Sequence, residues 1–215
     1  MVQMKTLRRA IPPLLVLLFC LSLLPAAAWC ADAEPVKQQG SGTYSATALT
    51  GRVSFLNSLR SQLGSGGEIL GGAEGETYTK WYLGGEYREG WNEDTPWCGV
   101  FVSWAAAVPE TAKYLDSFSV FASVDTGMAA FQDGTNGAWR EPEERPLPGD
   151  LVFFDWDKEG EDDFGKPDHV GVVLRTDPLT GTLYTIEGNN ENTVKECSYP
   201  KDDARILGFG VLNWK

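Results

Sequence analysis

Cys98 and His169 are the residues of this 215-residue chain best suited to covalent chemistry. A thiol becomes a nucleophile when its thiolate is accessible near neutral pH. The first turn of a helix favours that state, because unpaired N–H groups and the positive end of the dipole face the sulfur. Cys98 follows Pro96 at the opening of Trp97-Cys98-Gly99-Val100-Phe101-Val102-Ser103-Trp104-Ala105-Ala106-Ala107, an almost wholly apolar run that predicts a buried helix. A neighbouring imidazole holds the thiolate as an ion pair and later protonates the leaving group. His169 is the chain's one histidine, so any such pairing must use it. Its second ring nitrogen needs an acceptor to fix tautomer and orientation. Glu187 and Asn189 both offer one, and spacing does not choose between them. Each residue alone has a plainer role: a Cys on an apolar helix packs, a lone His is often structural, and Glu187 before Gly188 can be an exposed strand end. The order Cys, His, then Glu or Asn, on a helix, a strand and the next strand, carries the thiol reading.

The elements that must position these groups follow from periodicity. Val53, Leu56, Leu59 and Leu63, with Phe55 beside them, recur at helical spacing, and Gly64-Ser65-Gly66-Gly67 stops that helix. A glycine-rich aromatic stretch with Trp81, Tyr82, Tyr87 and Trp91 has too many breakers for a long element. After the turn Pro148-Gly149-Asp150 the period changes. Leu151 to Phe154 and His169 to Leu174 read as strands, Pro178 to Gly181 as a hairpin turn, Leu183 to Glu187 as the returning strand and Ile206 to Leu212 as the closing one. Helices followed by hairpin-linked strands predict an α+β fold, N-terminal helices packed on a C-terminal antiparallel β-sheet. Neither an internal repeat nor a second domain is visible.

Composition narrows the function. With 30 Asp+Glu against 18 Lys+Arg the net charge is −12, which argues against a nucleic-acid groove or a polybasic membrane surface. One histidine excludes metal sites built from two or three. Lys5, Arg8 and Arg9 precede the uncharged run Ile11 to Leu24, then Pro25 and Ala26-Ala27-Ala28, which predicts an export signal over 1–28, cleaved between 28 and 33. Residues 29–49 then form a flexible lead-in and 50–215 a single catalytic domain, with no membrane span after cleavage. Too few cysteines remain for a disulfide scaffold; Cys197 reads as a half-buried small residue, and Cys30, where retained, could pair with it. Asp155-Trp156-Asp157-Lys158-Glu159-Gly160 copies the first half of a calcium loop, but Lys166 stands where the bidentate Glu belongs, so a solvated acidic loop is expected. The reading requires no cofactor and assigns no metal.

The segments Trp97 to Trp104, Pro148-Gly149-Asp150-Leu151-Val152-Phe153-Phe154-Asp155-Trp156, Asp168-His169-Val170-Gly171-Val172-Val173 and Thr185-Ile186-Glu187-Gly188-Asn189, with the lead-in around Tyr78 and Lys80-Trp81-Tyr82, resemble the CHAP family. These are the cysteine, histidine-dependent amidohydrolases/peptidases, a papain-like branch related to the NlpC-type cell-wall peptidases. The resemblance implies a papain-like fold over roughly residues 50 to 213. It implies Cys98 as nucleophile, His169 as general base and Glu187 as the orienting residue, assisted by Asn189. The implied activity is hydrolysis of an amide in peptidoglycan, by a monomeric, secreted, cell-wall-associated enzyme acting as amidase or endopeptidase. A same-fold acyl or amide transferase and a non-catalytic wall-binding module are the alternatives. Trp97 and Trp156 flank the catalytic segments and are candidates for lining the substrate groove, core packing being the other role open to them. Two departures stand out: Gly99 sits where Ala or a larger residue is common, and the acidic insertion before His169 is long. Some relatives bind calcium just before the nucleophile, where Glu93-Asp94 is a poor copy.

Overall fold

The computed structural model describes residues 44–63, 76–92, 95–157 and 165–215. The export signal, the Gly64 to Gly67 stop, Glu93-Asp94 and the centre of the acidic loop lie outside the described residues. All the elements belong to one unit, Tyr44–Lys215. The first helix, α1 (Ala46–Arg60), starts within the stretch expected as lead-in, because the Ser45 hydroxyl accepts the Ala48 N–H at 3.0 Å and caps it. Its buried face runs through Ala48, Gly51, Arg52, Phe55, Leu56 and Leu59. Val53, expected on that face, is 57% exposed. The stripe is disguised in the sequence because one of its members is charged. Arg52 is buried because its Nη1 donates to Asp150 Oδ1 at 2.7 Å and to the Pro148 carbonyl at 2.8 Å, and its guanidinium faces the rings of Tyr44 and Trp214. That pair ties α1 to the turn before the second strand.

The aromatic stretch contains a two-turn helix, α2 (Glu76–Leu83). Tyr78 on it is buried, stacked on Trp97 at 5.4 Å and edge-on to Phe101 and Trp104. α3 (Cys98–Ala107) is buried on nearly every side, as its composition requires. Each fully buried Val or Phe there contributes ~1.5–3 kcal/mol by leaving water. Two shorter helices, α4 (Pro109–Ala112) and α5 (Val124–Gln132), follow; Ser123 caps α5. Neither was anticipated from the sequence.

Among the described residues six strands follow: β1 (Gly137–Arg140), β2 (Leu151–Phe154), β3 (His169–Thr176), β4 (Leu183–Asn190), β5 (Thr193–Tyr199) and β6 (Ile206–Leu212). They form one sheet in the order β1-β6-β2-β3-β4-β5, with every neighbouring pair antiparallel. The fold is α+β, as expected. Strand alternation gives the sheet two apolar faces. Leu151, Phe153, Val170, Val172 and Ile186 join the helices in one cluster, while Val152, Phe154, Val173, Leu183, Tyr199, Ile206 and Phe209 form a second. β2, β3, β4 and β6 match the expected strands; β1 and β5 are additional and lie at the two edges.

Candidate active site

Three elements converge on one point. Cys98 is the first residue of α3, so its N–H belongs to the turn whose donors have no partner within the helix. His169 opens β3 at the centre of the sheet, and Glu187 lies on the neighbouring strand β4. The thiol of Cys98 hydrogen-bonds the imidazole. His169 Nε2 lies 3.1 Å from Glu187 Oε2, leaving Nδ1 for the thiol. Each of the three side chains is nearly or wholly buried.

A buried carboxylate is stable only when its lone pairs are met. Glu187 receives hydrogen bonds from Thr185 Oγ1, from Asn190 Nδ2 at 2.7 Å and from Tyr199 Oη at 3.1 Å, besides its contact with His169. Burial alone would raise its pKa, yet the bonds from His169, Thr185 and Asn190 hold the carboxyl below its usual range. Burial alone would likewise discharge His169; hydrogen bonds and charge from Cys98 and Glu187 outweigh it and push the imidazole from 6.5 up to about 9. Burial, seconded by the same carboxylate, pushes the neighbouring Cys197 thiol up to about 12 and the Tyr199 phenol upward too. Cys197 is therefore kept as a neutral thiol, and it accepts from Asn190 Nδ2 at 3.2 Å.

Two glycines allow this approach. A Cβ on Gly171 would stand 2.7 Å from Glu187 Cγ, so the strand beside the carboxylate must be bare there. A Cβ on Gly99 would come within 2.5 Å of the Ala122 carbonyl, which explains the departure from larger residues at this position. Ser103 holds the same segment against α3, donating to the Phe121 carbonyl and accepting the Phe121 N–H. That segment forms one wall of a cleft of about 340 Å³ with Cys98 in its lining, alongside Trp91, Pro96, Asp125 and Asp168.

The other expected site residues fall differently. Asn189 does not join the network; Asn190 does. The β4–β5 register shifts between Glu187 and Asn190, and Asn189 takes a left-handed backbone with φ 59°, so strand alternation no longer puts it on the face of Glu187. Trp97 is no groove residue: it is 1% exposed, stacked under Tyr78, with its Nε1 donating to Asn192 Oδ1 at 3.0 Å. Trp156 lies outside the lining of the cleft and instead stacks on the His169 ring. Trp91 is the aromatic residue that lines it. Thr185 sits two residues from Glu187 on one strand face, a period legible in principle. Tyr199 needed the unread strand β5.

Carboxylate oxygens of Asp155, Asp157 and Asp168 lie within 4.8 Å of one another. Asp168 receives the N–H groups of Trp156 and Asp157, and Asp155 receives that of Gly165. The cluster folds the loop ends, and we assign no metal to it.

No curated protein sequence matches this one. Two solved structures are similar at a low level. The crystal structure of Ly7917 has a TM-score of 0.41 and 16% identity over 74% of this chain and 60% of that one. Ly7917 with the hydrolyzing product of MDP has a TM-score of 0.43 and 16% identity over 75% of this chain and 63% of that one. The chain thus spans less than two thirds of the length of either. A family model described as the CHAP domain matches residues 90–189, a span that contains Cys98, His169 and Glu187. Over that span, a little under half of the chain, the sequence is similar to the CHAP domain family.

Proposed function

We propose that the protein is an exported peptidoglycan hydrolase that cuts an amide bond through a cysteine thioester. One observation carries the reading: Cys98, at the N-terminus of α3, bonds a buried His169 that is itself held by the fully buried Glu187. With His169 protonated and Cys98 as thiolate, the sulfur attacks the amide carbonyl. The oxyanion that forms faces the first-turn N–H of Cys98, a donor of a kind worth ~3 kcal/mol in the transition state. The imidazolium passes its proton to the departing amine as the C–N bond breaks, leaving a thioester and a neutral imidazole. His169 then takes a proton from water, whose oxygen attacks the thioester carbonyl; the C–S bond breaks, releasing the acid and restoring the ion pair. Glu187 holds the ring and its charge through both halves. The CHAP-domain match supports peptidoglycan as the substrate class, and the N-terminal sequence supports export to the wall.

Digestion of purified sacculi followed by mass spectrometry of the muropeptides tests this. Free muramic lactyl ends indicate an amidase and new peptide termini an endopeptidase, in both cases lost in Cys98→Ala. Intact sacculi, or transfer of the acyl group to an added amine with no hydrolysis, would overturn the reading.

A further inference from the structure

We infer that Trp156 is a positioning residue of this site: its indole lies flat on His169, holds the ring in the orientation that serves Cys98 and Glu187, and closes that face to water. The inference rests on reading Cys98 and His169 as nucleophile and base. The two ring centroids are 3.8 Å apart and the planes 18° from parallel. Hydrogen bonds at the two ring nitrogens lie near the ring plane, so they resist sliding but leave the ring free to rock about the line joining them. A flat contact on the face removes that freedom. Phe154, 6.0 Å away and tilted by 38°, is too distant and too inclined to do so.

Trp156 is itself pinned by the residue next to His169. Its N–H donates to both carboxylate oxygens of Asp168 at 3.0 Å, and the Asp168 N–H donates to the Phe154 carbonyl at 2.9 Å. The end of β2 and the start of β3 are thus locked to each other through backbone and ring together. The indole Nε1 is buried without a partner, a cost that a Phe or Leu filling the same space would not carry. What indole adds is the strongest π face for a cation. The groups around the imidazole are Cys98 from α3 and Glu187 from β4 directly, Tyr199 and Cys197 of β5 behind Glu187, and Asp155 and Asp168 beside Trp156 and His169 in the chain. Among these contacts only the stack favours the charged ring while also covering it. This role replaces the substrate platform expected from the sequence.

The single histidine makes the test direct. Its imidazole proton resonance, followed by NMR against pH in the unaltered protein, should be displaced upfield by the indole ring current; an undisplaced resonance would overturn the stack without any variant. Iodoacetamide alkylation of Cys98, read by peptide mass mapping, needs no peptidoglycan and separates this inference from the proposed substrate. Trp156→Phe should keep the rate at pH 7 within about threefold, whereas Trp156→Leu should slow it about tenfold and move the NMR titration of the His169 resonance down by about one pH unit, the size a desolvated cation–π contact supports. On sacculi, Trp156→Leu should lower kcat and leave KM unchanged. Unaltered alkylation and an unmoved His169 titration in Trp156→Leu, or a rise in KM alone, would overturn the inference. Alkylation in His169→Ala as fast as in the unaltered protein would instead sink the underlying nucleophile–base reading, while the ring-current shift still reports the stack.

Discussion

At the scale of residues, the site is governed by one carboxylate. Glu187 is fully buried yet ionised, because four side chains point hydrogens at it. Cys98→Ala and His169→Ala should each abolish lysis of sacculi while leaving the thermal midpoint of Cys98→Ala within a few degrees; appreciable turnover in either variant would defeat the thiol mechanism. Glu187→Gln keeps an acceptor for His169 but loses the charge, so it should retain more, with kcat down by about 10²-fold, a typical general acid–base contribution. Activity should fall as pH rises through about 9, where His169 loses the proton it gives to the leaving amine. Stability must follow the same sign. The folded imidazole is raised above 6.5, so its contribution is complete below that value and lost as pH climbs through about 9. Glu187 is depressed instead, so its contribution is present at neutral pH and lost in acid as pH falls through its lowered pKa. The gap in thermal midpoint between the unaltered protein and His169→Ala should therefore close in alkali. A gap that is flat from pH 6 to pH 10 would contradict a charged, buried histidine.

At the scale of elements, α1 is fastened to the sheet by a buried ion pair. Removing one partner strands the other in an apolar setting, and Asp150 is wholly buried. Arg52→Leu should cost ~3–5 kcal/mol in denaturant unfolding, and adding Asp150→Asn should recover part of it. Because Arg52 touches none of Cys98, His169 and Glu187, the folded fraction should keep its turnover. A loss below about 1 kcal/mol would place the pair among solvent-screened surface bridges. The same residue shows why the sequence was only partly readable. A charged side chain inside an apolar stripe hides the stripe's phase, and Val53 was put on the wrong face as a result. Central strands β2, β3 and β4 were legible because sheet cores demand long apolar runs, and β6 for the same reason. Edge strand β5 carries Lys195, Glu196 and Ser198 among its seven residues and gives no such run. In the site, the helix opening at Cys98 and the unique His169 were readable from chemistry alone. The exchange of Asn189 for Asn190 was not, since it depends on left-handed residues in the β4–β5 turn. Nor was the fate of the tryptophans: an aromatic residue beside a catalytic segment does not announce whether its face is already taken by a neighbour.

At the scale of the whole molecule, charge decides how the site meets its substrate. The chain carries −12, and cleavage after Ala28 would remove Lys5, Arg8 and Arg9 and take it to −15. Among the described residues lining the cleft at Cys98 there is no Lys or Arg, while Asp125 and Asp168 are both exposed there. Walls rich in stem carboxylates and phosphodiester polymers are anionic as well, so long-range electrostatics should oppose the encounter. Screening shortens that repulsion to a Debye length of ~10 Å at 0.1 M salt. Raising ionic strength from about 10 mM to about 100 mM should therefore speed lysis of sacculi, as the Debye length falls from ~30 Å to ~10 Å. Hydrolysis of a small uncharged peptide analogue should barely change over the same range, since its encounter has no long-range charge term to screen. The two measurements together separate encounter from chemistry: salt acting on both substrates alike would mean that it alters the ion pair at Cys98 and His169 rather than the approach. A lysis rate that falls steadily with added salt would mean that a basic face attracts the wall, against the charge of this chain.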